Sequence, residues 1–123
     1  MGIQLGADVI VAFRAYREEI LRWSGRINLT AFETPAEIVR QWFLDSLACA
    51  SLLPTSEGRV VDVGSGAGFP AIPLALVKPG LDFTLVEPSR KKIAFLRHVV
   101  RRLELKRTRI RSDRVETLLG ETG

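Results

Sequence analysis

Between Asp62 and Gly68 the chain reads Asp-Val-Gly-Ser-Gly-Ala-Gly, three glycines at alternate positions directly after a β-branched run. Each missing side chain removes a clash and frees φ to become positive, so such a loop lets the backbone come close to a ligand. Gly64, Gly66 and Gly68 meet that need, with Ser65 between the first two. Glu87 lies 23 residues beyond Gly64, at the end of the next strand-like run. In a doubly wound α/β fold an acid at that place accepts hydrogen bonds from ribose hydroxyls. Loop and acid together describe a nucleoside site; the plain alternative is a tight turn beside a solvent-facing Glu. Two features choose among nucleoside cofactors. A dinucleotide fingerprint wants a third glycine five positions after the first, for close helix packing, and here that position is Phe69. Asp62, two residues before Gly64, suits the ammonium of a methionine moiety and repels a pyrophosphate. The pattern therefore favours S-adenosylmethionine over NAD, and with no Gly-Lys-Ser/Thr following at the required spacing it is no P-loop.

The elements that must position this loop follow from periodicity. Val9, Phe13, Tyr16, Ile20 and Trp23 recur at three- and four-residue steps and predict a helix over 8–24, ended by Gly25. Thr34-Pro35-Ala36-Glu37 has the form of a capping box with proline at the first helical position, so a second helix starts there and runs to Pro54. Its apolar stripe includes Val39, Trp42, Phe43 and Leu47. Val60 to Gly64 reads as a strand, Phe69 to Val77 as the helix after the loop, and Asp82 to Glu87 as a second strand. Ser89 can cap a helix striped by Ile93, Leu96, Val100 and Leu103, and Thr108 to Arg111 alternates as a third strand before a turn of helix over Val115 to Leu119. Strands alternating with helices imply parallel pairing through right-handed crossovers, hence an α/β fold with a three-layer sheet. The expected organisation is a helical extension over 1–58 and the first half of a nucleoside-binding Rossmann-like domain over 59–123.

Composition bounds the rest. The chain has 123 residues, is 46% hydrophobic and has a formal net charge of +4. Eleven of its 18 Lys and Arg residues lie between Arg90 and Arg114, opposed there only by Glu104 and Asp113, so that segment carries +9 and the remainder −5. Such asymmetry points to a polyanionic partner, against the alternative of a solvated helix face followed by an Arg-protected edge strand. No apolar run reaches the length of about 18 residues that spans a membrane, and the N-terminus lacks a secretory pattern, so a cytoplasmic protein is expected. The single cysteine, Cys49, lies in an apolar helical stretch and is expected to be a buried small hydrophobe. His98, the only histidine, falls among Arg97, Val99, Val100 and Arg101 and is expected to be structural. No catalytic side chain and no metal ligand set is indicated.

Trp23 through Asn28-Leu29-Thr30, Phe43-Leu44-Asp45-Ser46, the run from Asp62 to Leu74, Lys91 to Leu96 and Arg114-Val115-Glu116 together closely resemble the RsmG (GidB) family of bacterial small-subunit ribosomal RNA guanine-N7 methyltransferases. The resemblance implies a Rossmann-like class I methyltransferase half, with three parallel strands, flanking helices and a two-helix N-terminal extension. It implies a cofactor site for S-adenosylmethionine in which Gly64 and Phe69 contact the cofactor, Glu87 takes its ribose, and Val115 with Glu116 borders its adenine. The whole set expected at that site is Asp62, Gly64, Ser65, Gly66, Gly68, Phe69, Glu87, Val115 and Glu116. Lys91 matches a family lysine facing the RNA; Lys92, Arg101 and Arg102 extend the same basic track. Where the family commonly shows a basic residue and His before its Phe-Leu-Asp-Ser motif, this chain has Gln41 and Trp42, which puts an RNA or substrate role of that helix in doubt. The family's fold needs further strands, so 123 residues correspond to about the first half of such an enzyme. That half is expected to be inactive alone, with oligomerisation through the unpaired strand edge as one consequence.

Methyl transfer from a sulfonium to guanine N7 is an in-line displacement onto an available lone pair, with no proton to remove, so positioning and exclusion of water suffice. The substrate implied is small-subunit rRNA. A small-molecule methyltransferase, and a non-enzymatic module binding S-adenosylmethionine or RNA, are the competing functions.

Overall fold

The computed structural model describes residues 6–24, 35–64 and 66–112. Its order is α1 (Ala7–Ser24), α2 (Pro35–Ala48), a 3-10 turn (Cys49–Leu52), β1 (Arg59–Val63), α3 (Ala71–Val77), β2 (Asp82–Val86), α4 (Arg90–Arg102) and β3 (Thr108–Arg111). The expected sequence of elements is present, with α2 opening at Pro35 and tightening into the 3-10 turn before Pro54 is reached. Thr34 and the helical turn expected over Val115 to Leu119 lie outside the described residues.

The three strands form one parallel sheet in the order β1-β2-β3. Val60 pairs with Phe83 and Phe83 with Thr108; two residues on, Asp62 pairs with Leu85 and Leu85 with Ile110. Alternation along a strand sends these residues to one face and Val61, Val63, Thr84 and Arg109 to the other. The first face is the packed one, where Phe83 and Leu85 join Ile72, Phe95, Leu96 and Val99 of α3 and α4 in the core. On the second, Val61 and Val63 are each 53% exposed. Among the described residues the sheet therefore has two layers rather than the three expected, and β1 is an edge strand.

Helix α1 packs into that same core, since Tyr16 and Ile20 are fully buried within it. Its apolar stripe also contains an acid, Glu19, which is 1% exposed. Trp23 donates its indole N–H to Glu19 Oε2 at 3.1 Å, Arg22 reaches Oε1 at 3.2 Å, and His98 Nε2 of α4 lies 2.8 Å from Oε2. Arg102 of α4 donates to Glu19 Oε1 and, at 2.9 Å, to Glu18. A buried carboxylate survives only when so surrounded, and these contacts lock α1 to α4. His98 is thus structural, as expected.

Candidate functional site

Strand β1 hands the chain to the glycine loop at Gly64, whose N–H still donates to Val86 of β2 at 2.8 Å. The loop then turns with φ of +72° at Gly64, +56° at Gly66 and +98° at Gly68. These values cost a residue with a side chain about 1–2 kcal/mol each, which explains why glycine stands at all three. Their surroundings divide the loop in two. A Cβ at Gly64 meets nothing within 4 Å and one at Gly66 meets only the Gly64 carbonyl at 4.0 Å, so this half faces open space. At Gly68 a Cβ would lie 2.6 Å from Ile72 and 2.7 Å from the Tyr16 hydroxyl. Gly68, expected at the cofactor site, is buried and lets the loop pack on α1 and α3 instead.

The loop is held from behind. Tyr16 donates its hydroxyl to the Ala67 carbonyl across 51 positions of sequence. Burial pushes the Tyr16 phenol well above its usual range, and the charge of nearby Asp62 pushes it further, so it remains a donor. Asp62 lies on the packed face of β1, partly exposed, beneath the loop. Phe69 turns toward the helices, its ring 5.3 Å from Tyr16, 5.4 Å from Phe43 and 5.1 Å from Trp42 between centroids.

Glu87, directly after β2, is 4% exposed and points at the open half of the loop. Its Oε1 accepts the Gly66 N–H at 2.9 Å and its Oε2 the Ser89 N–H at 2.8 Å. A carboxylate has about four lone-pair sites, so each oxygen can accept a further hydrogen bond. The structure thus brings Gly64, Gly66 and Glu87 together, with Asp62 at the base. Ser65, Val115 and Glu116 lie outside the described residues. No cluster of three or more His, Cys, Asp or Glu able to hold a metal occurs among the described residues.

The basic segment divides as well. Arg90, Lys91, Arg97 and Arg101 are exposed on α4 and Lys92 is half-buried beside the Ser89 cap. Arg102 is different: its guanidinium is committed to Glu18 and Glu19, so the phosphate contact expected of it gives way to a structural one. Arg107 likewise pairs with Asp82 at 3.1 Å.

Sequence reasoning passes over a second feature beside the loop, a cleft of about 340 Å³ where α2 faces Ala67 and Phe69. Periodicity assigns Trp42 to an apolar core stripe, but it lines this cleft together with Asp45 and Ser46. Cys49 is also there, half-buried rather than enclosed, its thiol donating to the Asp45 carbonyl at 3.5 Å. The signal that could have found the cleft is the three- and four-residue spacing of Trp42, Asp45, Ser46 and Cys49, which puts a carboxylate and a hydroxyl on the same face as the indole.

A family model described as rRNA small subunit methyltransferase G (GidB) matches residues 10–122. Proteins named ribosomal RNA small subunit methyltransferase G are similar: that of Chloroflexus aggregans is 43% identical over 95% of this chain and 49% of its own length. The one from Roseiflexus castenholzii is 42% identical over 95% of the chain and 50% of its own length, and that of Syntrophus aciditrophicus 44% over 89% and 46%. The chain spans about half the length of these curated relatives. With its glycine loop, its acid after β2 and its parallel sheet inside the matched region, the chain belongs to the GidB family.

Proposed function

We propose that this chain is the cofactor-binding part of an S-adenosylmethionine-dependent methyltransferase that modifies guanine N7 of small-subunit ribosomal RNA. The observation that carries the proposal is the Gly66 N–H on Glu87 Oε1 beneath a loop half where, among the described residues, a Cβ on Gly64 would meet nothing within 4 Å. A nucleoside fits there: the missing Cβ atoms leave room for close backbone approach, and the carboxylate retains acceptor capacity for two ribose hydroxyls. Asp62 supplies a negative charge suited to the ammonium of the methionine portion. When bound, S-adenosylmethionine supplies a methyl group activated by its sulfonium. The chain's own residues orient it; the acceptor nitrogen has a lone pair and needs no base. The exposed Arg90, Lys91, Arg97 and Arg101 of α4 give the polyanionic substrate a place to dock.

Calorimetry with S-adenosylmethionine tests the proposal. Saturable binding that falls at least about tenfold in Glu87→Ala, with loss of one ribose-bonding carboxylate, supports it; equal affinity of the two proteins sinks it. Methyl incorporation into small-subunit rRNA then separates an active enzyme from a binding module.

A further inference from the structure

A groove of about 320 Å³ runs between α1 and α2, apart from the glycine loop and the acid after β2. Its floor is apolar: Phe13 stacks on Phe43 with centroids 5.2 Å apart and planes at 12°, and the buried Leu47 lines the same groove. Its rim mixes apolar and cationic groups. Ile10 and Leu44 are 41% and 42% exposed, and with them stand the exposed Arg14 and Arg17 of α1 and Arg40 of α2. Among the described residues no acid lines the groove. Arg14, Arg17 and Arg40 meet no carboxylate there, unlike Arg22, Arg102 and Arg107, each of which is paired.

Spacing defines the shape of an occupant. Ile10, Arg14 and Arg17 stand at i, i+4 and i+7 on α1, and Arg40, Leu44 and Leu47 at the same steps on α2. At 1.5 Å per residue each flank is about 10.5 Å long, the length over which an amphipathic helix presents anchors at i, i+3, i+4 and i+7 to a groove. Charge defines its composition. An apolar face laid on Ile10 and Leu44 takes the neighbouring guanidinium groups out of water as well, and a cation left unpaired in an interface is costly. An occupant must therefore bring carboxylates beside its apolar side chains, and a guanidinium donates two parallel hydrogen bonds to a carboxylate. A nucleic-acid strand satisfies the cations but offers phosphates and sugars, rather than aliphatic side chains, to Ile10 and Leu44. A second copy of the chain set symmetrically on this face opposes Arg to Arg.

We infer that the groove between α1 and α2 is a docking site for an acidic amphipathic helix of a protein partner, with Ile10 and Leu44 gripping its apolar stripe and Arg14, Arg17 and Arg40 its flanking carboxylates. The test titrates the 123-residue chain into a dye-labelled peptide of about 20 residues, long enough to form a helix, with Leu at i, i+3, i+4 and i+7 and Glu on either side. Fluorescence anisotropy reads the binding. It is saturable, and it falls at least about tenfold when Lys replaces every Glu of the peptide or Ser every Leu. It falls as far in Leu44→Ser and in the double variant Arg14→Gln, Arg17→Gln, whose exposed side chains leave the urea midpoint in place. The double variant Arg97→Gln, Arg101→Gln on α4 binds the peptide as the parent chain does, which separates the groove from the basic face of α4. Four results overturn the inference: no binding of the acidic peptide, equal binding of the Lys or Ser peptide, equal weakening by the α4 pair, or displacement of the peptide by a single-stranded RNA that itself loses affinity in Arg14→Gln, Arg17→Gln. A dimer of the peptide-free chain that Leu44→Ser dissolves assigns the groove to a second copy and overturns it too.

Discussion

The three loop glycines share a backbone requirement but not a role, and substitution separates them. In Gly68→Ala the new methyl meets Ile72 and the Tyr16 hydroxyl at 2.6 and 2.7 Å on a backbone at φ +98°. Overpacking and left-handed strain add, and a loss of about 3 kcal/mol is expected in urea denaturation. Gly64→Ala has the positive φ but open space around it, so it costs only about 1 kcal/mol while its methyl stands where a ligand must lie. Calorimetry on Gly64→Ala is expected to register a loss of S-adenosylmethionine affinity much larger than the loss of stability. Equal effects of the two substitutions on folding would refute the division of the loop into an open half and a packed half. Both glycines are legible as a ligand loop from spacing alone. Their division is not, because it depends on Tyr16, 52 positions before Gly68, closing over one end.

At the scale of elements, α1 is tied to α4 by charge as well as by apolar contact. Burial opposes ionisation of Glu19 more than any other single influence. The hydrogen bond from Arg102 and the attraction of His98, Arg22 and Arg102 together outweigh it and hold the carboxyl below its ordinary value of 4.5. A depressed carboxyl stabilises the fold fully above the unfolded-state pKa and ceases to do so as pH falls through the folded-state value. Acid unfolding is therefore expected to set in below the ordinary glutamate range, and Glu19→Gln, which leaves Arg102 without its buried partner, is expected to cost about 2 kcal/mol at neutral pH. Urea midpoints measured from pH 7 down to pH 3 check this: the gap between the two proteins should narrow in acid, and a gap constant with pH removes Glu19 ionisation from the account. The helices and strands themselves are readable, since Tyr16, Ile20 and Trp23 keep helical spacing and Val60 to Val63 is β-branched. Glu19 within that stripe is not recognisable as a core residue, because its partners Arg102 and His98 lie about 80 residues away and periodicity carries no information on which cations will meet it. The early end of α2 escapes for a related reason: the apolar stripe continues through Ala50 and Leu53, but as a 3-10 turn that folds Ala50 into the core.

For the whole molecule, charge is distributed by the fold in a way that a count of residues does not convey. The segment from Arg90 to Arg114 holds most of the positive charge, yet Arg102 and Arg107 are engaged with Glu18, Glu19 and Asp82. What remains at the surface of α4 is a face of Arg90, Lys91, Arg97 and Arg101, beginning just after the acid that lies under the glycine loop. On the function proposed, an RNA backbone following this face passes close to the proposed cofactor site. Each phosphate neutralised by such a side chain releases counterions, and log affinity then falls linearly with log salt, at about 0.7 per phosphate for single strands. Replacing Arg97 and Arg101 together by Gln is expected to reduce that slope by about 1.4, since two phosphates go without a cation, with the urea midpoint unchanged because both side chains are exposed. Arg102→Gln is expected to do the reverse, lowering the midpoint and leaving the slope in place, since its guanidinium holds α1 rather than RNA. Gel-shift titrations with small-subunit rRNA between 50 and 200 mM salt, roughly the range over which such ion-dependent binding is resolved, distinguish the two. If Arg102→Gln flattens the slope as much as the double variant, the partition of the basic segment into a structural clamp and a docking face is wrong, and the RNA track runs along the clamp itself.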